Sequence, residues 1–159
     1  MCVLELVGHK LAVHGAGLQA GSGGQPDVTP AELAGMLAGL ERGPVAMAYA
    51  KFALDAGAAR TVYALLHVIA SNWSRHEKWD VPRGSGRVGK LARMVRDDLI
   101  LTRPILSGRQ AGALLGISES AWRQTWRARH GRLWDVGMEW EWALQKKLVR
   151  ELYWGHVEM

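Results

Sequence analysis

The chain has a single cysteine, Cys2, among 159 residues. One thiol closes no intramolecular disulfide and builds no zinc site of several cysteines. Such cysteine usage fits a reducing compartment, and a cytoplasmic location is expected. No stretch approaches the ~20 apolar residues that a membrane-spanning helix requires, so no membrane partner is expected. The opening residues MCVLELVGHKLAVHGAG lack the long apolar core of a secretory signal, because Glu5 and His9 interrupt it.

Signatures of catalysis are missing as well. There is no GxxxxGKS or GxxxxGKT phosphate loop and no HExxH. Gly84-Ser85-Gly86 does not stand at a strand-to-helix junction. The six histidines are scattered, and His67 lies in an apolar helix, where a satisfied core histidine is the commoner case. Asp97 and Asp98 are adjacent, so on a helix they point about 100° apart and form no paired-carboxylate metal site without distant partners. No metal, no cofactor and no enzymatic activity are expected.

What is present is helical pattern. Hydrophobic residues make up 48% of the chain, and its length allows one domain with a real core. Residues 1–28 include GAGLQAGSGGQPD, whose glycines and serines raise the entropy cost of ordering, so this segment is expected to be flexible or peripheral. Thr29-Pro30-Ala31-Glu32 opens the first helix with a cap, a first-turn proline and a charge suited to the helix dipole. Further helices are expected at Val45 to Leu54, Ala58 to Trp73, Arg87 to Leu101 and about Leu133 to Tyr153, with Ser71 to Arg87 as a loop. The fold class is therefore all-α, with a single helical domain over residues 29–159 containing a helix-turn-helix unit at about 107–130.

That unit is the most informative stretch: SGRQAGALLGISESAWRQTWRARH, Ser107 to His130. Gly116 supplies the backbone freedom for a sharp inter-helix turn. Ser118 is placed to cap the second helix, and Glu119 suits its positive end. At about 100° per residue, Ala121, Trp122, Thr125, Trp126 and Ala128 fall on one side and Ser120, Arg123, Gln124, Arg127 and His130 on the other. Gly131 is expected to end this helix. The second side carries donors suited to guanine, adenine and phosphate, as on a recognition helix. Ser120, Arg123, Gln124 and Arg127 are the base-reading candidates. The bland alternative, an amphipathic helix with solvated arginines, is also common.

Charge is concentrated around this unit. Between Asp80 and Arg132 there are eleven Lys or Arg against four Asp or Glu, an excess of seven that is larger than the +5 of the whole chain. A basic face of this kind fits a polyanionic partner. Arg83, Arg87, Lys90, Arg93, Arg96 and Arg109 are the phosphate-contact candidates. Tryptophan is frequent beyond the unit, and Trp is enriched at protein interfaces. Trp73, Trp79, Trp140, Trp142 and Trp154 are the partner-interface candidates.

The stretch ISESAWRQTWRARHGRL, Ile117 to Leu133, resembles the lambda-type Q transcription antitermination factors of phages and prophages. The resemblance lies in a turn leading into a helix with a polar start, a Trp, then Arg and Thr: here Ser118, Trp122, Arg123 and Thr125. The helices at Ala46 to Trp73 and Arg87 to Leu101 are similar in style to that family's helical body. The cysteine-rich zinc insertion of the lambda protein is missing, so a relative would be compact and zinc-free. The resemblance implies a factor that binds double-stranded DNA near a promoter. It implies loading onto RNA polymerase holoenzyme with its sigma factor, and read-through of downstream terminators. A helix-turn-helix repressor or activator is the alternative, and a helical nuclease a third possibility that the missing metal constellation disfavours.

Overall fold

The computed structural model of the chain describes residues 35, 37–52 and 55–154, with the side chains of residues 52 and 151–154 left undescribed. The expected flexible segment 1–28 and the start of the helix at Thr29 lie outside the described residues. The fold is all-α, and no strand occurs among the described residues. The elements are α1 (Arg42–Phe52), α2 (Ala56–His76), α3 (Arg87–Leu101), α4 (Gly108–Leu115), the short α5 (Glu119–Ala121) and α6 (Arg127–Trp154). No described helix is long and apolar enough to cross a membrane.

The chain divides into two compact units. The first comprises the chain up to Ala59 and from Glu139 onward. Its buried side chains include Met47, Leu144 and Leu148. Gly43 is obligatory here, since a Cβ would sit 2.5 Å from Cε2 of Trp140. A buried ion pair joins Lys51 Nζ to Glu141 at 2.9 Å.

The second unit, Arg60–Met138, carries the helix-turn-helix stretch. Val62 and Leu66 of α2, Leu91, Val95 and Leu99 of α3 and Leu133 of α6 are nearly or completely inaccessible. Each such aliphatic contributes about 1.5–3 kcal/mol of transfer free energy. They recur at the three-to-four-residue spacing that makes one apolar stripe per helix. Gly137 lets α6 pass close to α3, because a Cβ there would overlap the Leu99 side chain.

Two expected boundaries are corrected. α2 continues to His76, three residues past its expected end at Trp73, so Arg75 stands on a helix instead of in the loop. Helical structure also runs without a break from Glu119 to Trp154. Gly131 lies inside α6 and does not end it. Glycine permits a helix end without dictating one, and here flanking residues with good helix propensity carry the backbone through.

Candidate nucleic-acid interface

α4 begins with a capping box. Ser107 Oγ accepts from the Gln110 N–H at 3.4 Å, and Gln110 Oε1 accepts from the Ser107 N–H at 2.9 Å. It ends at Gly116, in the left-handed region at φ 66°, while the Ile117 N–H donates to Gly112 O. Gly112 has no room for a side chain against the turn, since a Cβ would lie 3.1 Å from Ile117 O. Ser118 then caps α5 by accepting from the Ala121 N–H at 3.1 Å. The sequence therefore builds two helical segments joined by Gly116-Ile117-Ser118.

Between α5 and α6 the helix widens into a π-type turn at Trp122–Trp126, with the Arg127 N–H donating to Trp122 O. Such a turn holds one extra residue. The seven remaining α-helical steps from Trp122 to position 130 rotate by about 700°, within roughly 20° of two full turns. His130 is thereby brought beneath Trp122, ring centroids 5.8 Å apart, and not onto the solvent side as its sequence position implied.

Trp122 and Trp126 are buried, as expected of the packed side. Thr125 and Ala128, expected beside them, are exposed; the widened turn breaks the uniform 100° register that placed them inward. Ser120, Arg123, Gln124 and Arg127 are all exposed. They are not uniformly free. Arg123 pairs with Glu119 one turn earlier, and Gln124 Nε2 donates to Ser120 Oγ at 3.1 Å. Arg127 makes no ion pair among the described residues.

The phosphate-contact candidates separate into groups. Arg83, Lys90, Arg93 and Arg109 are exposed. Arg96 is half-buried and pairs with Asp97. Arg87 is occupied with the turn itself: its Nε donates to Leu115 O at 3.0 Å and its Nη2 to Gly116 O at 3.4 Å. A guanidinium on the last carbonyls of α4 satisfies acceptors the helix end leaves open. Arg87 is thus a brace of the inter-helix turn, with two of its donors engaged by protein carbonyls.

The tryptophan candidates separate too. Trp79 is only 7% exposed and belongs to the core. Its ring meets Trp126 edge-on at 5.8 Å, and Arg129 lies against both rings, 4.3 and 4.6 Å from their centroids. Trp73 is half-buried beneath Arg132. Trp140 is half-buried, whereas Trp142 is 63% exposed. The Trp154 side chain lies outside the described residues. Glu77 ties the loop down, accepting from Trp79 Nε1 at 2.8 Å and from Arg132 Nη1 at 2.8 and 3.0 Å. The hydrogen bond from Trp79 and those from Arg132 hold the Glu77 carboxyl below its ordinary pKa. Burial draws Arg129 downward, against the opposing pull of Glu77.

One constellation was not legible in the sequence. Asp98 is 2% exposed. Its Oδ1 accepts from the Ile105 N–H at 2.8 Å, and His130 Nε2–H donates to its Oδ2 at 2.7 Å. The His130 ring also stacks on Trp134 at 6.5 Å. This pair adjoins a partly open cleft of about 320 Å³ whose walls include Met94, Leu106, Trp122, Arg123 and Arg127. Asp97, next to Asp98, points to Arg96, so the expected divergence of the two carboxylates holds. No group of three or more metal-ligating side chains occurs among the described residues.

Searches of protein-family models, curated proteins and solved structures return no match for the chain. The resemblance to lambda-type Q factors therefore rests on the quoted residues alone.

Proposed function

We propose that this protein is a double-stranded-DNA-binding transcription regulator that reads bases with the solvent face of α5, the π-type turn and the start of α6. The observation that carries this reading is the row of exposed polar side chains Ser120, Arg123, Gln124 and Arg127, which follows a capped inter-helix turn and stands on the buried anchors Trp122 and Trp126. Rigid anchoring matters because base readout requires donors held in register with the major groove. Lys90, Arg93, Arg83 and Arg109 add exposed positive charge for phosphate, which fixes position but not sequence. Within this class the resemblance favours an antitermination factor that engages RNA polymerase holoenzyme with sigma in the cytoplasm. Exposed Trp142 is the interface candidate best placed to meet it.

Selection of bound duplexes from a random pool is the direct test. An enriched motif is expected, and Arg123→Ala is expected to weaken binding to it by about 1–3 kcal/mol, with much less loss on unrelated duplex. Equal loss on both would make Arg123 a phosphate contact. No enrichment and no binding at low salt would end the DNA reading. Transcription past a terminator downstream of the selected site separates antitermination from simple repression or activation.

A further inference from the structure

We propose that the cleft beside the Asp98–His130 pair binds a small aromatic carboxylate that also carries a hydroxyl, and that this ligand shares its arginines with DNA. The second half of this proposal rests on the DNA-binding reading; the first does not.

The chemistry of the ligand follows from what the walls leave unsatisfied. Two carboxylates line the cleft, and both are engaged: Asp98 accepts from the Ile105 N–H and from His130, and Glu119 pairs with Arg123, which leaves Arg127 as the lining cation without a carboxylate partner. The Asp98 bond engages Nε2 of His130 and leaves Nδ1 as the ring's second polar atom. Nδ1 has no partner among the described residues, and none of their buried side-chain nitrogens or oxygens lacks one, so Nδ1 is open to solvent. A ligand hydroxyl, which can donate or accept, matches it. Arg127, on the same cleft, has no carboxylate partner and matches an anionic group bidentately. Between them, Trp122 and Leu106 offer apolar wall, which suits a planar ring. A volume of about 320 Å³ lies at the lower end of ligand sites and excludes large ligands.

The consequence for DNA is geometric. Arg123 and Arg127 line the cleft and also stand on the solvent face proposed to read bases. A guanidinium turned onto a ligand carboxylate is withdrawn from the groove, so ligand and duplex compete.

The test titrates the ¹⁵N-labelled full chain with 2-, 3- and 4-hydroxybenzoate, following the imidazole resonances of His130 and the indole N–H of Trp122. Saturable shifts at both residues are expected with at least one isomer. Benzoate, without the hydroxyl, is expected to bind that site about fivefold or more weakly, and phenol, without the carboxylate, about tenfold or more weakly. Arg127→Gln is expected to weaken the best isomer about tenfold to a hundredfold. Leu106→Trp, at a half-buried wall position, is expected to abolish binding by filling the cleft, whereas Arg60→Gln, at an exposed position outside the cleft, leaves it unchanged. No saturable shift at about 10 mM of any isomer, a concentration above the ~1 mM Kd of even a weak site, overturns the site. So does an Arg127→Gln protein, folded by circular dichroism, with unchanged affinity. Duplex DNA that binds the chain without weakening hydroxybenzoate overturns the shared arginines. Because the titration contains no DNA, a chain that never binds duplex ends the regulator reading while the ligand site is judged on its own.

Discussion

Replacing each of two glycines of α6 by alanine should move stability in opposite directions. At Gly131 an added Cβ meets nothing within 4 Å, and the residue sits inside a continuous helix with no positive φ. Alanine is favoured over glycine in a helix interior by about 0.8–1.0 kcal/mol, so Gly131→Ala should stabilise the protein by about 0.5–1 kcal/mol. At Gly137 the same propensity gain is available, but the Cβ would lie 2.7 Å from Leu99 Cδ2 and closer still to Cδ1. Leu99 is buried at the centre of its unit and has little room to retreat. Overpacking of this kind costs about 1–3 kcal/mol, which exceeds the propensity term. Gly137→Ala should therefore destabilise by about 1–2 kcal/mol. Urea denaturation followed by tryptophan fluorescence and by circular dichroism measures both. The decisive result is the sign at Gly131. A glycine that terminated the helix in the left-handed region would penalise alanine by about 1 kcal/mol, so destabilisation by Gly131→Ala would refute the continuous helix.

Asp98→Ala should cost about 2–4 kcal/mol in the same assay, because it strands two donors, the His130 ring N–H and the Ile105 N–H, each worth about 1–3 kcal/mol when left unsatisfied. Asp98→Asn keeps an acceptor for Ile105 and should cost only about 1–2 kcal/mol, and equal small losses for both would show the carboxylate to be solvated. For DNA binding, Lys90→Gln with Arg93→Gln should flatten the dependence of log K on log salt by nearly one for each phosphate no longer neutralised. Arg96→Gln, already paired with Asp97, should change the slope less; an unchanged slope in the first case would leave Lys90 and Arg93 as a solvated face. Glu77 has its carboxyl pKa lowered from 4.5 in the folded protein, so its contribution is complete above pH 4.5 and fades as pH falls through the lowered value. The stability gap between the wild type and Glu77→Gln should accordingly be constant near neutrality and close on acidification. A gap that widens in acid would contradict the hydrogen bonds from Trp79 and Arg132.

The helix-turn-helix stretch was legible because its signals are local. Gly116 and Ser118 act on their own backbone, and the structure uses both as their chemistry dictates. Trp122 and Trp126 lie one turn apart on an apolar side, and burial follows from that spacing. The errors came where one residue type serves two purposes. Gly131 looked like a stop because glycine often is one, yet its helix has no steric or hydrogen-bonding reason to end. The bracing role of Arg87 was simply not visible, because its partners, the carbonyls of Leu115 and Gly116, meet it only once α3 and α4 are packed. Asp98 and His130 are 32 positions apart. Nothing in composition joins them, and the π-type turn that aims His130 inward leaves no trace in a uniform helical projection.

The same turn governs how the candidate interface divides its labour. Breaking the exposed Arg123–Glu119 pair to free Arg123 costs about 0.3–0.5 kcal/mol, against about 1–3 kcal/mol for a good base contact. Readout wins that exchange, with Glu119 left beside a polyanion as a residual penalty. Gln124 must likewise trade its neutral bond to Ser120. Arg127 trades nothing with the protein, since no carboxylate holds it. It follows the widened turn, on the side where His130 and Trp122 meet. Arg127 is therefore the base-reading candidate that would give up no contact within the protein on meeting a duplex.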